Sequence, residues 1–233
     1  MTIPSPKTIL LRHTGPPLWL PAIMFAVLFN VGLYFVTTFS GNPAFPGPWE
    51  APDVIATFFR TRPSAALMCG TFQFVSAIPL GIYTATAVSR LQFLGVRAAG
   101  AHIVLFGGFA TALNMMASSA VLWAMAFPEI ADDLPLVHAL YRLLFVLGGV
   151  GFSVPLGLLI AGISLTSLAK GLLPKWIVFS GLFLAIVGEL SWLDLLFPQA
   201  LFLIPLTRFP GFVWLIIVGF VLPTTDESRR SAG

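Results

Sequence analysis

Six long apolar runs, separated by turns too short to carry a second structural layer, dominate this chain. They fall at about 17–39, 64–88, 99–127, 136–168, 176–197 and 200–222. Each reaches or exceeds the ~20 apolar residues that a helix needs to cross a hydrocarbon core ~30 Å thick. In lipid every backbone N–H and C=O must find a partner inside the protein, and a helix pairs them within its own segment. Charged residues make up 9% of the chain, against roughly 25% in soluble domains. A water-facing surface cannot be covered with so few charges. With 233 residues, the six runs leave no room for a separate soluble domain. The expected fold class is therefore all-α, a single polytopic transmembrane helix bundle spanning 1–233 with about six crossings.

Lys7, Arg12 and His13 precede the first run, as in a signal peptide. The run is too long for a signal core and no small-x-small cleavage site follows it, so it reads as a retained span. After a Gly- and Pro-rich loop, the stretch 50–62 has an acidic start and an amphipathic pattern, and is too short to cross. It is expected to lie at the extracytoplasmic interface. The last run is interrupted by Pro205, Arg208 and Pro210. A full crossing kinked near Arg208 is the favoured reading; a re-entrant piece at 198–211 followed by a span from Gly211 is the other.

Basic residues set the orientation. Lys7, Arg12, Arg90, Arg97, Lys170, Lys175, Arg229 and Arg230 fall on one side. The other side holds Arg60 and Arg62 with the acids Glu50, Asp53, Glu129, Asp132 and Asp133. The basic side is expected to be cytoplasmic, with both termini inside, and the expected location is a cytoplasmic (inner) membrane. Trp19, Trp49, Trp123, Trp176 and Trp192 sit near span ends, as an aromatic belt requires. The scattered basic residues form no stripe that would bind nucleic acid. Cys69, the single cysteine, lies in an apolar segment and reads as a small packing residue.

A charge inside a span costs at least ~2.5–3.5 kcal/mol on insertion scales. Arg142 and Glu189 fall ~10 Å and ~12 Å from the outer ends of their spans at 1.5 Å per residue. Small residues recur every fourth position at Gly149, Ser153, Gly157 and Ala161, and again at Gly181 and Ala185 before Glu189. Such stripes let helices approach closely. The expectation is that the stripes meet and that Arg142 pairs with Glu189. That pair either fixes packing alone or lines a polar pocket open to the outside, with Asn30, Asn114 and His138 as further candidates. Asn30 and Asn114 equally suit simple interhelical hydrogen bonds, and His138 an interfacial position. His102 starts its span at the opposite membrane face from His138, so the two cannot share a haem. Asp194, near the outer end of its span, is the expected partner of Arg208.

No phosphate loop, HExxH, CxxC or CxxCH motif is present, and the halves show no evident inverted repeat of the transporter kind. No metal or soluble cofactor is predicted; an apolar pigment or lipid held by Phe and Leu needs no motif. The segment Gly171-Leu-Leu-Pro-Lys-Trp176, then Gly181 and Gly188, then Phe212-Val-Trp-Leu-Ile-Ile-Val-Gly219, resembles a bacterial family of six-span membrane proteins known only as a domain of unknown function. The resemblance implies a six-helix fold and no assigned activity.

Three functional classes follow. The first is a non-catalytic accessory or regulatory subunit that binds other membrane proteins, lipids or a second copy of itself. The second is a small transporter or receptor with an outward-facing pocket around Arg142 and Glu189. The third is an intramembrane lipid-modifying enzyme using Glu189 as acid or base, and the balance leans away from it.

Overall fold

A computed structural model describes residues 12–38, 45–97 and 99–225. Lys7, Arg229, Arg230 and residues 39–44 of the Gly/Pro loop lie outside the described residues. The apolar runs form helices throughout. In chain order these are α1 (Trp19–Tyr34), α2 (Pro52–Thr61), α3 (Pro63–Phe93), α4 (Ala99–Met125), the short α5 (Pro128–Ala131), α6 (Leu134–Phe145), α7 (Gly151–Lys170), α8 (Lys175–Leu190) and α9 (Leu203–Val221). A π-helical turn, Val146–Val150, joins α6 to α7, and two 3₁₀ segments, Ser191–Leu195 and Pro198–Phe202, link α8 to α9. Five of the helical segments are long and apolar enough to cross a membrane, and α1 is a shorter apolar helix. The protein is thus an all-α membrane helix bundle.

Local signals explain the ends. Asp133 caps α6, its Oδ1 accepting from Leu136 N at 3.1 Å, which satisfies one of the free donors of the first turn. Gly171 ends α7 at φ 65°, a left-handed conformation that costs a glycine nothing sterically. Pro79, Pro155 and Pro210 stand inside helices, which bundle neighbours tolerate in membranes.

The helices close into a ring, α1–α3–α4–α7–α8–α9, with α9 returning to α1 and also touching α7. Lipid tails are as apolar as leucine, so helices in a bilayer associate through tight packing rather than water exclusion. Glycine provides that here. A Cβ added at Gly107 would lie 2.5 Å from Leu159 N and 2.6 Å from Pro155 O, so α4 and α7 touch backbone to backbone. Gly162 makes the same contact lower down, against Gly100 O and Val104 N. The small-residue stripes of α7 and α8 meet, with Gly157 against Ala185 O and Glu189, and Gly188 against Gly157 and Ser153.

The first and last described residues are clasped together. Arg12 bridges Thr225, and His13 N donates to Thr224 O at 2.8 Å. Arg90, buried at the end of α3, donates to Leu222 O and Pro16 O, both at 3.3 Å. Gly15 N donates to His13 Nδ1, and partial burial together with the Arg90 charge holds this imidazole below its usual range. Phe25, Phe29, Phe152 and Phe212 form a connected set of edge-on and tilted ring contacts in the interior of the ring. Outside, Val27, Ile78, Leu113, Phe183, Val213 and Phe220 form an exposed apolar belt, and the five belt tryptophans are exposed while Trp214 is buried.

Gly107→Ala is expected to destabilise the bundle by about 1–3 kcal/mol, because the neighbouring atoms are backbone and cannot yield as a side chain would. Gly81→Ala, whose added Cβ meets nothing nearer than 3.7 Å, should change stability by less than about 0.5 kcal/mol. Thermal unfolding of both variants in one lipid or detergent system tests this; equal shifts would refute the backbone-contact account.

Candidate functional site: a cavity between two cores

Buried residues fall into two separate clusters. The larger fills the ring of long helices. The smaller gathers Val36, Ile55, Phe59, Cys69, Leu122, Val137, Tyr141 and Leu144 under α2 and α6. Between them lies a cavity of about 420 Å³, within the ~300–1,000 Å³ range of small-molecule sites. Leu33, Val36, Phe45, Leu122, Leu144, Phe145, Leu201 and Ile204 give it an apolar wall, and Cys69, Gln73, Ser118 and Arg208 also line it. Thr37 and Thr38, beyond the end of α1, and Leu201, in the second 3₁₀ segment, place it toward the end of the bundle that carries α2. Aromatic rings roof this end. Phe45 stacks edge-on to Phe58 and Phe59, at 5.2 and 6.1 Å between centroids, and leans on Tyr141 at 5.3 Å. Tyr141 Oη donates to Pro46 O.

The π turn builds the inner wall. Gly148 and Gly149 have no side chains to resist the widening of the helix, and both line the cavity. A widened turn takes carbonyls off the regular ladder, and such turns are frequent at functional sites. Two carbonyls beside it accept from side chains on other helices. Ser118 Oγ on α4 donates to Leu144 O at 3.1 Å, and Arg208 Nη2 on α9 donates to Gly148 O.

Arg208 is the distinctive group. Its guanidinium lies 4.7 Å from the ring centroid of Phe152 and 5.3 Å from that of Phe29. Cation–π contacts of this kind contribute ~0.5–2 kcal/mol each, less than a carboxylate partner at short range. Among the described residues the one ion pair is Arg60–Asp132, 2.8 Å apart and exposed. Arg208 Nε is buried and has no hydrogen-bond partner. A cation thus stands in the wall of a mostly apolar cavity, in contact with a backbone carbonyl and two rings.

The expected ion pair does not form. Arg142 is exposed and forms no ion pair with Glu189. The reason is the π turn. One extra residue in a turn rotates everything before it by about 100° relative to an ideal helix, so Arg142 leaves the stripe of Ser153 and Gly157. Glu189 does lie on the stripe, facing Gly157, and its Oε1 is buried without a hydrogen-bond partner. Asn30 is exposed and bonds only back to Ala26 O; Asn114 bonds back to Ala110 O, with its Oδ1 near Gly151. His138 is half-buried on α6. None of Arg142, Glu189, Asn30, Asn114 and His138 lines the cavity. Nor does Asp194 pair with Arg208, whose side chain turns inward to Gly148. The Gly-Gly pair ahead of Pro155 was the available signal for an irregular turn.

No protein-family model matches the sequence, and neither a curated protein nor a solved structure matches the chain.

This geometry ranks two polar residues in an unexpected order. Arg142→Gln should change stability by less than about 0.5 kcal/mol, whereas Ser118→Ala should cost about 1 kcal/mol by leaving Leu144 O without its side-chain donor. Denaturant or thermal titration of the two variants decides it, and a large loss in Arg142→Gln would reinstate a buried pair.

Proposed function

We propose that this protein is a non-catalytic accessory or regulatory membrane protein that holds one lipid-like molecule in the cavity between its two cores. The apolar wall and volume of that cavity carry the reading. The wall suits a hydrocarbon chain, and the surrounding exposed belt gives the protein contact with lipid, the natural source of such a ligand. Phe45, packed against Phe58, Phe59 and Tyr141, forms part of the cavity's wall toward the α2 end.

The proposed setting is a bacterial inner membrane crossed six times, with both ends in the cytoplasm. The clasp of Arg12 on Thr225 supports this reading, since it joins the two described ends and an even number of crossings fits such a contact. The five long segments and α1, about 24 Å long at 1.5 Å per residue, are consistent with six. The charge bias favours the clasp inside and the cavity's end outside. The second functional reading, a transporter or receptor with an outward pocket, is kept on the cavity's position at the α2 end and no longer on Arg142 and Glu189.

Orientation is read by single cysteines in a Cys69→Ala background. Asp132→Cys should react with a membrane-impermeant maleimide in intact cells, and Lys170→Cys only after permeabilisation; the reverse pattern would invert the topology. The ligand reading is tested by native mass spectrometry after mild extraction. Wild-type protein should carry one apolar molecule per chain, and Val36→Phe, which projects a ring into the cavity, should lose it while keeping its melting temperature within a few degrees. Recovery of the wild type with a protein partner in fixed ratio and an empty cavity would favour a pure scaffold instead.

A further inference from the structure

We infer that the cavity selects an amphiphile with a single anionic head, a carboxylate or a phosphate monoester, seated on Arg208. The inference rests on the cavity being a ligand site and adds what that ligand must be. The Arg208 guanidinium rests on the edge of a ring pair, 5.3 Å from the Phe29 centroid and 4.7 Å from that of Phe152, with the two centroids 6.0 Å apart. One nitrogen is committed to Gly148 O. No described carboxylate forms an ion pair with it. Glu189 serves the other side of α7: Ser153 and Gly157 face α8, whereas Phe152, one residue earlier, faces Arg208.

A guanidinium matches a carboxylate or phosphate edge and binds either more strongly than a neutral acceptor. Low dielectric around the site strengthens the attraction further. Gln73, Ser118, Thr37 and Thr38 also line the cavity, and Leu33, Val36, Leu122 and Ile204 are among the apolar side chains that make up most of its wall. An anionic head on an apolar tail complements one cation in a mostly apolar wall, whereas a neutral lipid leaves the cation without an anion and a free anion leaves the apolar wall empty.

The test uses the full chain in phosphatidylcholine nanodiscs, with retained ligand counted by native mass spectrometry. Dodecanoate, dodecyl phosphate, dodecanol and inorganic phosphate are titrated in parallel, on wild type, Arg208→Lys and Arg208→Gln. In the wild type, dodecanoate or dodecyl phosphate should be retained at one per chain with half-saturation about tenfold or more below that of dodecanol. Arg208→Gln should retain dodecanol and lose the preference, and Arg208→Lys should keep part of it. Equal half-saturation for the anionic and neutral chains in the wild type would overturn the anionic head while leaving the cavity as an apolar site. An anionic preference that survives in Arg208→Gln would overturn the role of Arg208. Saturation by inorganic phosphate in place of the chains would overturn the amphiphile. Retention of no chain at all would overturn the cavity reading itself, and this inference with it. The wild-type comparison stands alone should a variant fail to fold.

Discussion

Inside a bilayer no water satisfies a backbone carbonyl released from its helical ladder. The π turn at Val146–Val150 breaks that ladder at membrane depth, and much of the site follows from how the break is accommodated. Ser118 reaches across from α4 to Leu144 O, and Arg208 from α9 to Gly148 O. Those two bonds tie α4 and α9 to the joint between α6 and α7. They also hold the guanidinium in the wall of the cavity, where a side chain of its length and charge would otherwise extend toward the membrane surface.

The joint also explains why the interior is divided. Below it, α4 and α7 touch through Gly107 and Gly162, with no room for solvent or ligand. Above it, α6 packs against α2 and α4, where Ile55, Phe59, Val137 and Tyr141 belong to a core of their own. Two cores that cannot merge leave a space at their boundary. That space is lined mostly by apolar side chains, with Arg208, Gln73, Ser118, Thr37 and Thr38 among them.

The architecture was legible in the sequence. The lengths of the apolar runs, the amphipathic stretch at 50–62 and the small-residue stripes of α7 and α8 all correspond to observed elements. Crossing a membrane is a local demand on each segment, so a window of about 20 residues contains the information. The candidate site was not legible in the same way. Arg142 and Glu189 were matched by depth and by an ideal helical period, and both criteria assume an unbroken helix. Arg208 was noticed as an interruption of the last run and matched with Asp194 near the membrane surface, when its partners are Phe29 on α1 and Gly148 and Phe152 at the joint between α6 and α7.

The sequence by itself determined that this chain is a bundle of membrane helices, because hydropathy acts on each segment alone. It determined also that α7 and α8 lie together, because a short turn joins them and their small residues fall on one period. Only the tertiary structure decided which charge faces the interior. That choice depends on the phase of α6 against α7, which a single π turn resets by about 100°. It depends equally on α9 returning to α1, a contact between segments more than a hundred residues apart for which no local pattern exists.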